Sequence, residues 1–506
     1  MKLNNIIKTM SLAAVALVAT ACQDTDAQIS IEEVGAPVFR EVTPGTSFAL
    51  GFGEKTIQVK FDKNIGFATK NTNKITLNGH PVKSAAVYGI DSVLTIKADV
   101  DFTKTQTLVI PAGIITGPAK HTYDQELTFT WTYPDLPSNT ATQMTKQLGW
   151  GWNLGNHFDT SNTQWGYWDG LPTITDAPFK TLATAGAKTV RIPATWTCHM
   201  DDNYVIDATY LDEVAETVDR ALATGLNVIL NTHHDSFETD LGNAAGDAEV
   251  AKKDSTIIVE LWRQVATKFK DYDKDKLIFE TFNEIHADNN WNNTNDGQTA
   301  LLNAWNQYAV DAIRKTEGNN ATRWIAVAGY AANIDLTINS LVVPADPANR
   351  IIVAVHCYDP YNFCLAPEAS GTNSWGHNAD PDHSVADANE QYVIDQLWKL
   401  RAAYIEKDIP CYLGEYGCVW QTTDRANAFR KYYLEFFCRA ASLAGIPMFV
   451  WDNNSKGSGD EANGYIDHAN GAWLNDGETT VPMMIKACTD SNYDWFDKIW
   501  DRSPAK

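Results

Sequence analysis

Between residues 35 and 133 the chain alternates apolar and polar positions in short runs, TIQVKFDKNI, KITLNGHPVK, SVLTIKADV, QTLVIPAGIITG and ELTFTWTY, each bounded by Gly, Asn, Pro or Asp. Successive side chains of a strand point to opposite faces, so a period of two gives each run one face for a core and one for water. Turn residues at regular intervals between such runs predict a small all-β sandwich. Pro134 and Pro137 in TYPDLPSNT then interrupt the alternation and mark a junction.

From about residue 143 the pattern changes. Short apolar runs now alternate with amphipathic stretches such as YLDEVAETVDRALATG, in which Leu211, Val214, Val218 and Leu222 recur at helical spacing. Strands and helices in alternation predict parallel β/α units. Eight apolar runs qualify as strands: GWNLGN, TVRIP, NVILNTHH, LIFETFNE, RWIAVAGY, RIIVAVHCY, PCYLGEYG and PMFVWDN. That repetition is what a (β/α)8 TIM barrel requires. The expected fold class is therefore α/β, a barrel preceded by a small all-β domain. The Asn-rich ADNNWNNTNDG reads as a loop.

The leader adds an address. MKLNNIIKTMSLAAVALVATAC joins Lys2 and Lys8 to an apolar run too short to span a bilayer, the pattern of a secretory signal. Ala19, Thr20 and Ala21 before Cys22 resemble a bacterial lipoprotein cleavage site, which implies lipidation of Cys22 and an outer-membrane anchor. The QDTD that follows resembles an acidic surface-display tag. Ala19 stands where that box usually carries Leu, so plain secretion is the alternative. The expected organisation is a signal over 1–22, a flexible tether over 23–34, the sandwich over 35–137 and the barrel over 138–506, in a monomer.

A formal net charge of −23 argues against nucleic acid, anionic membrane surfaces and acidic polymers, all of which the summed field would repel. A neutral small molecule or polysaccharide is left. The 17 Trp residues suit sugar rings, although surplus Trp is more often core. Apart from Cys22, the Cys residues lie singly from Cys198 onward without metal-site spacing, so most are expected to fill core.

In a barrel of this kind the site lies at the carboxyl ends of the strands. The polar residues ending the runs are Asn156, Arg191, His233 and His234, Asn283 and Glu284, His356 and Tyr358, Glu415, and Trp451 with Asp452 and Asn453. One alone reads as a cap or loop anchor; seven of eight runs ending so points to a shared cleft. Glu284 and Glu415 fall on the fourth and seventh runs. Glycoside hydrolysis needs one protonated carboxyl to serve the leaving oxygen and one carboxylate to attack the anomeric carbon, roughly 5 Å apart for retention. Asn283 is placed to bond the sugar 2-hydroxyl. Adjacent histidines on a strand would point to opposite faces, so His233 and His234 are not expected to share a metal ion.

GWNLGNHFD, TVRIPATW, NTHHD, ETFNEIH, VHCYDPYN, YLGEYG and FVWDNN, in that order over residues 145 to 500, resemble glycoside hydrolase family 5, the cellulase-type (β/α)8 glycosidases. The resemblance implies Glu284 as acid/base and Glu415 as nucleophile. It makes Arg191 and Tyr358 hydrogen-bond donors to the nucleophile and His356 the neighbour of the acid/base. His234, more than His233, would contact sugar hydroxyls, and Trp451 would floor the cleavage point. Asn156, Asn453 and Trp165, with Trp168, complete the expected substrate-binding set. Cys357 and Cys418, beside motif residues, are expected to be core fillers. In the first domain, VKFDKNI, ITLNG and LVIPAGII resemble bacterial immunoglobulin-like domains, expected here as a spacer. The implied activity is endo-acting, retaining cleavage of a neutral β-1,4-glucan with no metal or organic cofactor. The alternatives are a mannanase on the same scaffold and a non-catalytic glycan-binding lipoprotein.

Overall fold

In the computed structural model, which describes residues 35–46, 49–69, 72–160 and 174–505, the alternating runs pair as antiparallel strands. One sheet runs Phe39–Thr43, Gly53–Phe61, Val93–Val100, Ser84–Ala86, and the other runs Leu127–Thr132, Thr105–Ile110, Thr76–Leu77, His80–Pro81. Alternate residues face one shared core: Ile57, Val59 and Phe61, then Leu94, Ile96 and Ala98, against Leu108, Ile110, Phe129 and Trp131. The intervening positions hold Lys, Glu and Thr in water, as a half-buried sheet requires. The Trp131 indole N–H, buried with its ring, donates to the Pro44 and Gly45 carbonyls at 3.2 and 3.1 Å.

The chain divides into two compact units between Tyr133 and Pro134, four residues before Pro137. Arg401 explains the offset, because its guanidinium donates to the Pro134 and Asp135 carbonyls at 3.1 and 2.7 Å and ties 134–137 to the second unit.

The second unit is a closed parallel barrel of β1 (Trp150–Asn153), β2 (Thr189–Ile192), β3 (Asn227–Asn231), β4 (Leu277–Glu280), β5 (Ile325–Asn333), β6 (Ile351–Cys357), β7 (Cys411–Tyr416) and β8 (Met448–Val450), with β8 closing on β1. Six of the eight lie within the predicted runs; β1 begins one residue before its run, at Trp150, and β5 continues three residues past the Tyr330 that ends its run. Ile229, Ile278, Ala326, Ile352, Ala354 and Phe449 belong to its core, and Met144 and Leu148 of the helix Thr140–Leu148 join them to seal the amino-terminal end. Helices cover the outside. In Ala208–Ala223 the Asp207 side chain caps the first turn, accepting from the Thr209 and Tyr210 N–H groups at 2.8 and 3.1 Å. The buried stripe of that helix is Tyr210, Val214, Val218 and Ala221; Leu211 and Leu222 are only half-buried, so it is turned by one position from the expected one.

At the carboxyl ends of β5, β6 and β7 the ladder register shifts, between Ala328 and Asn333, Val355 and His356, and Leu413 and Tyr416. Such irregularities re-aim side chains next to a site. Trp131, Trp150, Trp152, Trp196, Trp262, Trp305 and Trp375 are sealed, so for these seven the surplus tryptophan is core. Among the described residues seven thiols are free, and Cys357 and Cys418 are buried as core fillers.

Candidate active site

Arg191 on β2 organises the mouth of the barrel. Its side chain is fully buried, and a guanidinium taken out of water must use all five of its N–H donors. Nε and Nη2 reach Glu280 Oε1 at 3.1 and 2.6 Å, Nη1 reaches Glu415 Oε1 at 2.7 Å and Asn153 Oδ1 at 3.0 Å, and Nη2 also reaches Asn283 Oδ1 at 2.9 Å. One cation therefore holds a carboxylate from β4 and another from β7. Glu280 takes two further bonds, from Tyr412 Oη at 2.5 Å and from Asn231 Nδ2 at 3.0 Å.

Glu415 is the more guarded of the two expected catalytic carboxylates. Its second oxygen accepts from Tyr358 Oη at 2.9 Å, and His356 Nδ1 stands 3.8 Å from the same oxygen. Burial alone would raise its pKa, but the charges of His356 and Arg191 and the Tyr358 hydroxyl outweigh burial and hold it below the usual value. Glu284, just beyond β4, is 20% exposed at its side chain and takes the His356 Nδ1–H on Oε1 at 2.6 Å. Burial opposes the charged form of His356, yet Glu415 and Glu284 together raise its pKa. Gly414 makes room for this ring, since a Cβ there would lie 2.9 Å from His356 Nε2.

Ligand atoms of Glu284, His356 and Glu415 all lie within 4.8 Å of one another. That spacing would bracket a cation, but the guanidinium bonded to Glu415 already puts a fixed positive charge in the cluster.

Asn283 is pinned at both ends, accepting from Arg191 and donating from Nδ2 to Glu238 Oε1 at 3.0 Å. The other Glu238 oxygen receives His234 Nδ1 at 2.8 Å. Burial would lower the His234 pKa, but this carboxylate raises it to about 9. His233 and His234 lie past the end of β3, and their rings meet edge to face at 4.3 Å, so the expectation of opposite faces fails. Strand alternation no longer applies once the chain has turned. His233 is buried with its ring parallel to Trp451, centroids 5.9 Å apart, while His234 keeps an open edge. Gly155 fits under Trp451; a Cβ there would stand 2.7 Å from the indole and 2.7 Å from the Asp452 carbonyl.

Three expected positions behave differently. Asn156 sits in the turn after β1 at φ 58° with its N–H on Asp159 Oδ2 at 2.9 Å, and it is Asn153, inside the strand, that reaches Arg191. Asn453 spends its side chain on a loop, donating to the Glu461 carbonyl and accepting from the Asn463 N–H, at 2.8 and 3.1 Å. Asp452 is a buried anchor for the same region, accepting from Trp152 Nε1 and from the Tyr465 N–H, each at 2.9 Å. Trp165, Trp168 and Cys22 lie outside the described residues.

Sequence reading missed Asn153, Glu238 and Glu280. Glu280 carried a signal: a lone carboxylate inside the apolar run LIFETF has to be paired once buried. Asn153 and Glu238 carried none that separates them from ordinary turn residues.

A family profile described as cellulase (glycosyl hydrolase family 5) matches residues 151–457. Endoglucanase A of Paenibacillus barcinonensis is 33% identical over 350 residues, 64% of this chain and 85% of the relative. Among solved structures, a Bacteroidetes-affiliated GH5 cellulase linked with a polysaccharide utilization locus superposes with a TM-score of 0.68 at 35% identity, covering 73% of this chain and 98% of its own. The GH5-4 broad specificity endoglucanase from Bacteroides salanitronis gives 0.66 at 39% identity, covering 70% and 97%.

Proposed function

The chain belongs to glycosyl hydrolase family 5, and from that premise we propose that it is an endo-acting hydrolase of β-1,4-glucan backbones that works with retention through a glycosyl intermediate on Glu415. The observation that carries this reading is the pair Glu284 and Glu415, with oxygens within 4.8 Å, only the second of them clamped by a guanidinium and a tyrosine. Such close carboxyls suit attack by one of them; a water between them would need roughly 6.5–9.5 Å. Glu415, kept ionised by its three neighbours, attacks the anomeric carbon. Glu284 gives its proton to the departing oxygen and later takes one from the incoming water.

Asn283, fixed by Arg191 and Glu238, retains one amide N–H for the sugar 2-hydroxyl. Trp451 offers its face to the CH-rich side of the same sugar. The named relatives, endoglucanases and a cellulase, support glucan as the backbone. The leader ending at Cys22 supports an extracytoplasmic, lipid-anchored enzyme acting on a neutral polysaccharide.

The test is reducing-sugar release from carboxymethyl cellulose, mixed-linkage glucan, xyloglucan, glucomannan and xylan by wild type and Glu415→Gln. Release from a glucan that falls by at least ~10³-fold in the variant is expected. A variant that keeps its activity would end the nucleophile assignment, and glucomannan as the sole substrate would shift the reading to a mannanase.

A further inference from the structure

Glu238, in the loop after β3, is a nearly sealed carboxylate, its side chain 7% exposed, and both of its oxygens are used. Oε1 accepts Asn283 Nδ2 at 3.0 Å, and Oε2 takes His234 Nδ1 at 2.8 Å. The backbone holds the residue from two sides. Its N–H donates to the Asp235 carbonyl at 2.8 Å, and its carbonyl accepts the His286 N–H at 2.9 Å, two residues past Glu284. A bond from the Asp288 N–H to the Thr239 carbonyl at 3.0 Å and the bridge between Asp240 and Ala287 extend this seam. The loop after β3 is thus laced to the chain that carries the acid/base.

One carboxylate here settles the state of two groups. An asparagine amide can turn end for end, exchanging its oxygen for its nitrogen. At Asn283 that exchange is blocked, because Arg191 can only donate and reaches Oδ1 at 2.9 Å, while an ionised Glu238 can only accept and takes Nδ2. The second Nδ2 proton is left with a single direction. His234, 41% exposed at its side chain, gives its Nδ1 edge to Glu238 and keeps its Nε2 edge open. A buried carboxylate needs an opposite charge, and among the described residues His234 is the only cation bonded to Glu238. Against burial, Asp159 and Glu284 favour the same imidazolium, while His233, lowered well below its ordinary pKa by its own burial, stays neutral beside it. An imidazolium donates from both nitrogens.

We propose that Glu238 is a positioning residue for the substrate: it aims the free amide proton of Asn283 and holds His234 as an imidazolium, so that the sugar at the cleavage point meets two fixed donors. The proposal rests on the glucanase reading and adds the residue that sets its sugar contacts. Both donors suit hydroxyl oxygens, and the shared carboxylate couples the two contacts.

The experiment compares kcat/KM on 2,4-dinitrophenyl β-cellobioside with that on its analogue lacking the 2-hydroxyl of the sugar under attack. The intrinsic reactivities of the two substrates cancel when a variant is set against wild type. In Glu238→Ala, which releases Asn283, the ratio of the first to the second falls about tenfold, equivalent to ~1.4 kcal/mol. Glu238→Gln keeps an acceptor for Asn283 and recovers most of the ratio. Proton NMR titration of the His234 imidazole, identified by its absence from His234→Gln, reads the charge without substrate. It titrates at about 9 in wild type and ~1–3 pH units lower in Glu238→Gln. Melting curves establish that each variant is folded, and where Glu238→Ala is not, the titration of Glu238→Gln decides. A ratio unchanged in folded Glu238→Ala, a ratio as low in Gln as in Ala, or a His234 that titrates at the same pH with and without the carboxylate overturns the assignment. Wild-type inactivity on both substrates, with the shift in titration present, overturns the glucanase reading instead.

Discussion

In the amino-terminal unit the charges stay in water: Lys83 bridges Glu54 at 2.9 Å and Asp99 at 2.7 Å, with all three side chains roughly half exposed or more. In the barrel, Arg191 and Glu280 are sealed from solvent and Glu415 nearly so, at comparable separations of 2.6 and 2.7 Å. The contacts are alike and the surroundings are not. Water screens the sandwich pair, which therefore does little beyond lowering the Glu54 pKa through the Lys83 bond. Inside the barrel the same distance fixes a protonation state and an orientation, because nothing else is there to solvate the charge. Chemistry is built in the unit where charge is expensive to bury.

The largest break in that contrast is Glu280→Gln. It leaves Arg191 buried with one carboxylate instead of two, so we expect a loss of about 3–5 kcal/mol in unfolding free energy. Displacement of Arg191 and Glu415 should also lower kcat by ~10²-fold. Denaturant titration and steady-state kinetics on one preparation check both, and a stable, active variant would show that Glu280 is not needed to hold the arginine.

Asp159 gives an intermediate effect with a definite sign. Burial raises its carboxyl from 3.8 to about 6, against the pull of His234 and the Asn156 N–H, and Oδ1 has no hydrogen-bond partner among the described residues. A folded pKa above the unfolded one means that this group favours folding below about pH 4 and loses that contribution as pH rises through about 6. Asp159→Asn, uncharged throughout, should then gain stability over wild type at pH 7.5 relative to pH 4.5, on the order of 1–2 kcal/mol. Melting curves across that range decide it; a constant difference between the two proteins would mean that the carboxyl does not titrate there.

The smallest effect belongs to the sandwich. Lys83→Ala removes two ion pairs that water already screens, and neither melting temperature nor glucan hydrolysis should change measurably. A clear loss of either would erase the distinction between the two units.

Much of this site is visible before any folding. Arg191, Glu284, His356, Tyr358 and Glu415 can be picked out because each ends an apolar run, and the ends of barrel strands converge whatever the loops do. The turn after β1 is where that logic weakens: Asn156 and Asn153 are both asparagines of GWNLGN, and only pairing of β1 with β2 puts Asn153 opposite Arg191. His233 and His234 likewise escape strand alternation because they follow the last paired residue of β3.

Local periodicity and the seven polar run endings are thus enough to specify a sheet unit, a closed barrel and the rim that carries the carboxylates, since both patterns report burial, which each segment encodes on its own. Which oxygen meets which nitrogen is another matter. Arg191 finds Glu280 89 residues onward and Glu415 224 residues onward, and sharing one cation between two buried anions depends on every neighbour that excludes water at once. The same closure leaves Trp291 44% exposed while seven other tryptophans are sealed. Those choices are collective, set by through-space electrostatics and packing, and they exist only once the barrel has closed.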